Sequence, residues 1–130
     1  MFTLQQIEVA HDKVKSGADF PKYIQEIKEI GVKSFVTWVQ DSRTEYLGEN
    51  NLTTSSKPKY DELAISGHSH KENFETRLKE HQQGKTDYFT FCKDCAQTGI
   101  EKWVVRLDEM TCTYYDKAGN EILVEHIPLP

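Results

Sequence analysis

Two short motifs in this 130-residue chain have residue types and spacings that could carry chemistry. Cys92-Lys93-Asp94-Cys95 is a CxxC, the spacing of dithiol redox pairs and of half a tetrahedral zinc site. Gly67-His68-Ser69-His70 sets two imidazoles at i, i+2, on one side if extended, and imidazole is the commonest metal-binding side chain. Two ligands are not a site. A third would have to arrive through the fold, from His11, His81, His126 or a carboxylate. Ser69 also invites a serine-nucleophile reading, but the second glycine of G-x-S-x-G is missing. No phosphate-cradling glycine loop, H-E-x-x-H or calcium-loop pattern occurs.

Each motif has a plainer reading. Redox thiols of a CxxC sit at a helix N-terminus, where the dipole lowers their pKa, whereas a helix starting near Asp87 is already several residues old at Cys92. A zinc site would need a second pair, and Cys112 is alone. The packing reading of Cys92 and Cys95 is therefore preferred. For Gly67–His70 the plainer reading is a polar linker in which Ser69 or His70 begins a helix carrying Glu72 in its first turn. His11 and His81 fall on or beside apolar helix stripes and read as packed or boundary residues.

The elements that must position these residues follow from periodicity. Thr3 caps a helix over about 4–15, with Leu4, Ile7, His11 and Val14 at helical spacing and Gln6 at the capping-box position. A second helix over about 20–30 follows Asp19. It tolerates Pro21 in its first turn, carries Phe20, Tyr23, Ile24, Ile27 and Ile30 on one stripe, and stops at Gly31. Val32–Val39 and Thr44–Leu47 then read as a hairpin, Glu49–Lys59 as a polar loop, and Tyr60–Ser66 as a third strand. The second half repeats this grammar, with helices over about 71–83 and 87–98 and strands at 100–107, 110–115 and 121–127.

The repetition extends to residues. A displacement of 68 pairs Phe20 with Tyr88, Tyr23 with Phe91, Gly31 with Gly99, Phe35 with Trp103, Val39 with Leu107 and Tyr46 with Tyr114. The first and third helices fit better at 67, where Ile7 pairs with Phe74. The chain therefore reads as an internally duplicated ααβββ unit with halves at about 1–66 and 67–130. The same displacement drops Cys92 on Ile24 and Cys95 on Ile27, two members of the strongest apolar stripe. A half of this length buries too little surface to stand comfortably alone, so both should share one core. The expected architecture is α+β, a single domain with a largely antiparallel sheet and helices on one face.

Composition narrows the functional classes. Apolar residues at 37% and charged residues at 28% suit one compact soluble domain, and no hydrophobic run exceeds three residues. No membrane partner is expected. The net charge is -5, split -2 and -3 between the halves with no basic patch, which disfavours nucleic acid. Three cysteines with no export signal point to a reducing, cytoplasmic setting without disulfides.

The stretch Phe91-Cys92-Lys93 through Ala96, Gly99-Ile100, Trp103-Val104-Val105, Met110–Asp116, Gly119 and Glu125-His126-Ile127-Pro128 resembles a family of small uncharacterised bacterial and prophage proteins, sometimes labelled phage envelope protein. The order of elements agrees over nearly the whole chain. The resemblance implies no activity, cofactor or catalytic residue.

Strand alternation gives the remaining candidates. Phe35, Thr37 and Val39 face one way with Trp103, Val105 and Leu107, while Val36, Trp38, Val104 and Arg106 face the other. With helices on one side only, these last four line an open face suited to a homodimer or to a small ligand. The expected function is thus a small cytosolic binding or interaction domain that forms a homodimer and needs no cofactor. The rival is a small enzyme, metal-dependent through His68 and His70. The eleven-residue Glu49–Lys59 loop, against the short Asp116–Asn120 turn, is the main asymmetry between the halves.

Overall fold

A computed structural model describes residues 2–15 and 17–130. Four helices are present: α1 (Leu4–His11), α2 (Phe20–Glu29), α3 (Lys71–Gln82) and α4 (Tyr88–Gln97). Helix α1 opens with a capping box, in which Gln6 N donates to Thr3 Oγ1 at 3.2 Å and Thr3 N donates to Gln6 Oε1 at 2.9 Å. It ends at His11, one turn short of expectation. Asp87 caps α4 by accepting from Thr90 N at 2.8 Å. Helix α2 stops where Gly31 takes a φ of +109°, with Val32 N donating back to Ile27 O at 3.0 Å.

Six strands form one antiparallel sheet: β1 (Ser34–Trp38), β2 (Thr44–Leu47), β3 (Thr53–Ser55), β4 (Ile100–Arg106), β5 (Thr111–Asp116) and β6 (Glu121–His126), in the spatial order β3-β2-β1-β4-β5-β6. The α+β class with a fully antiparallel sheet agrees with the sequence expectation. Two details differ from it. The third strand is Thr53–Ser55, inside the stretch expected to be a loop, and Tyr60–Ser66 forms no strand. The long loop between the second and third strands is therefore a short connection over residues 48–52 containing a 3₁₀ turn at Glu49–Asn51.

Strand registers obey the 68-residue displacement. Phe35↔Tyr46 in β1–β2 becomes Trp103↔Tyr114 in β4–β5, and Thr37↔Thr44 becomes Val105↔Cys112. The central β1–β4 pair maps onto itself, since Phe35↔Val105 becomes Trp103↔Thr37 and Val36↔Val104 is unchanged. A local twofold axis thus passes between Val36 and Val104, normal to the sheet. Backbone conformation follows: the positive-φ residues Gly31, Ser42 and Asn51 correspond to Gly99, Met110 and Gly119. The outer pairs slip by one residue, since Glu45↔Ser55 would become Thr113↔Leu123 and the observed rung is Thr113↔Val124.

All four helices bury side chains in one layer against Phe35, Val39, Tyr46, Trp103, Val105, Leu107, Cys112 and Tyr114. Phe74 and Tyr114 centre this layer with rings 4.8 Å apart. The linker over residues 56–70 has no helix or strand, yet it is tied down by backbone bonds: Lys59 N to Asp41 O, Leu63 N to Gln40 O, Ser66 N to Ala96 O and His70 N to Thr98 O, all within 2.9 Å. Tyr60, Leu63 and Ile65, the residues that suggested a strand, anchor this segment to the core instead. Among the described residues, no helix is long and apolar enough to cross a membrane.

Candidate functional site

The open face of the sheet is built on the twofold axis. Val36 and Val104 form its central rung, flanked by Trp38↔Lys102 on one side and Ser34↔Arg106 on the other. The four residues expected from alternation therefore share one surface. Two neighbours complete it. Tyr115 pairs with Lys102, and the Lys102 ammonium lies between two rings, 5.0 Å from the Trp38 centroid and 5.4 Å from that of Tyr115. Arg106 Nη2 donates to the Tyr115 hydroxyl at 3.4 Å, a reach that spans the Thr113 position, and Thr113 is only 3% exposed. The indole Nε1–H of Trp38 is covered and has no hydrogen-bond partner among the described residues. Leu47 and Val124 extend the apolar surface outwards, at 40% and 45% exposure.

Charge on this face is arranged in stripes. Lys102 and Arg106 lie on β4, Glu45 lies on β2 opposite Val36, and Glu121 lies on β6 opposite Tyr115. A basic centre is thus flanked on each side, two strands away, by an acidic position. The Lys102↔Tyr115 rung continues the register of Arg106↔Thr111 and lies just ahead of the irregularity between Ile100 and Lys102.

The cysteines belong to the interior. Cys92 and Cys95 are both 0% exposed, as are their counterparts Ile24 and Ile27. Burial pushes all three thiols up, Cys95 well above its usual range and Cys112 to about 12, the opposite of what a nucleophilic or redox thiol needs. His81 stacks on Phe91 with centroids 4.4 Å apart, and burial lowers its pKa. His11 meets Tyr23 edge-on at 5.2 Å.

His68 and His70 are exposed on the linker. Among the described residues, no group of three or more His, Cys, Asp or Glu gathers to hold a metal ion. What the linker does hold is Gly99, because a Cβ there would stand 2.4 Å from His68 O and 2.7 Å from Ser69 Cα.

A second concavity went unnoticed in the sequence because its walls come from distant segments. Lys59 and Tyr60 of the linker face Asp87, Tyr88 and Phe89 at the start of α4 across a groove of about 490 Å³. The Tyr60 and Phe89 rings are 5.1 Å apart. The adjacent aromatics Tyr88 and Phe89 are 40% and 44% exposed.

A search of curated proteins finds no match to the chain. A family model described as a protein of unknown function (DUF1398) matches residues 8–126, a span that takes in all six strands of the sheet and both walls of the groove. Fold, open face and groove are accordingly features of a matched region that covers almost the whole chain, and the protein belongs to the DUF1398 family of proteins of unknown function.

Proposed function

We propose that this protein is an interaction domain that acts as a symmetric dimer, two copies packing open sheet face on open sheet face. The observation that carries the reading is the helix-free face itself, where Val36, Val104, Leu47 and Val124 surround a Trp38–Lys102–Tyr115–Arg106 ladder. Trp, Tyr and Arg are the residues that most often dominate binding energy at protein interfaces. Six strands of three to seven residues, about 4.8 Å apart, give a surface roughly 24 by 18 Å. That footprint, about 430 Å² before side-chain relief, sits toward the small end of the ~800 Å² per partner of a standard interface. The stripes of Glu45, Lys102 with Arg106, and Glu121 let one copy both offer and accept charge, as a self-complementary contact requires.

The three buried thiols suit a reducing, cytosolic setting, which forms part of the proposal. We also infer that the chain arose by duplication of an ααβββ unit. The matched registers and the matched positive-φ positions support that origin.

Sedimentation of the full-length protein across a concentration series tests the dimer. The expected result is a dimer at micromolar concentration, and a Val104→Lys variant, with a lysine at the face centre, that stays folded by circular dichroism and sediments as a monomer. A wild-type chain that remains monomeric at hundreds of micromolar overturns the reading.

A further inference from the structure

We propose that the groove between the linker and the start of α4 binds a small anionic aromatic molecule, such as an aromatic carboxylate. The groove, at about 490 Å³, lies within the ~300–1,000 Å³ typical of small-molecule sites. Its walls are aromatic and fixed. The Tyr60 hydroxyl donates to Val39 O at 2.5 Å, and the Tyr88 hydroxyl shares a 2.6 Å hydrogen bond with Ser42 Oγ. With both polar tips engaged inward the two tyrosine rings are held in place, and that rigidity reduces the ordering cost of binding. Tyr88 and Phe89 are 40% and 44% exposed on a first helical turn, where the corresponding residues of the other half are Phe20 and Pro21. The feature is therefore not imposed by the shared architecture. Tyr60 likewise comes from the linker, and its counterpart at the 68-residue displacement is Pro128.

Charge selects the ligand's sign. Lys59 Nζ lies 5.8 Å from the Tyr88 ring centroid and Lys93 Nζ 4.9 Å from that of Phe89, so two ammonium groups flank the rings in a chain of net charge -5. Asp87 is the one acidic lining residue, and its carboxylate is turned to the helix, accepting from Thr90 N at 2.8 Å. The Tyr60 and Phe89 rings already touch, with centroids 5.1 Å apart, so a planar ligand lies along the groove over this pair with its carboxylate turned to the lysines.

Backbone-amide NMR of the full chain titrated with 2-naphthoate tests this, with 2-naphthylmethylammonium as the cationic control. The expected result is saturable shifts at residues 59–60, 87–89 and 93, with the cation at least tenfold weaker. Phe89→Ser abolishes the response, and the Lys59→Gln, Lys93→Gln double variant weakens it about tenfold, the effect of two surface charges. Both alter exposed side chains, and a dispersed spectrum verifies their folding. No saturable shift at millimolar naphthoate overturns the proposal, as do equal affinity for the cation and shifts centred on the open sheet face. Because the groove lies away from that face, its outcome is independent of the oligomeric state.

Discussion

Gly99 shows how much one residue can be asked to do. The helix-stop pattern identifies it as the end of α4, and its φ of +87° agrees. The sequence offered no hint of its second task, which is to let the linker cross at van der Waals distance. Gly84 has a similar φ of +80° with open space around it, so the two glycines separate backbone strain from steric exclusion. Gly84→Ala should cost about 1 kcal/mol and Gly99→Ala roughly 3 kcal/mol or more, measured by urea unfolding. Equal losses would mean that the linker yields at no cost. The cysteines were legible for a related reason. A repeat that sets Cys92 and Cys95 against two isoleucines reports burial directly, and all four side chains are fully enclosed.

Among the elements, α3 and α4 meet through an uneven ion pair. Arg77 Nη1 donates to Asp94 Oδ1 at 3.1 Å, with the arginine side chain half exposed and the aspartate only 7% exposed. Removing the cation strands a buried carboxylate, so Arg77→Gln should destabilise by about 1–3 kcal/mol, whereas Lys71→Gln, which breaks the exposed pair with Glu75 one helix face away, should cost under about 0.5 kcal/mol. Urea midpoints of the two variants that coincide would show that Asp94 finds another partner. The helices and five of six strands were readable because their apolar spacing, caps and glycine stops agree. Strand β3 was not, since Thr53-Thr54-Ser55 is a short edge strand that needs little apolar surface. Tyr60, Leu63 and Ile65 imitate a strand because a crossing segment must also be anchored, and anchors are apolar whatever the backbone does.

At the scale of the molecule, the open face was legible from alternation alone, because strand parity assigns Val36, Trp38, Val104 and Arg106 to one side whatever the strand order. The ladder through Trp38, Lys102 and Tyr115 was not, because it depends on which strands are neighbours. The groove was the least legible, being assembled from residues whose meeting depends on the linker's path. That path has one more consequence. The linker is the only covalent bridge between halves that already grip each other through the β1–β4 rungs, through Leu107 N to Lys33 O and Val39 N to Glu101 O, and through Ser42 against Tyr88. A chain expressed as two pieces divided between Lys57 and Pro58 should therefore persist as a non-covalent pair of fragments that co-elute in buffer and part only in denaturant, making this small protein a natural candidate for a split reporter.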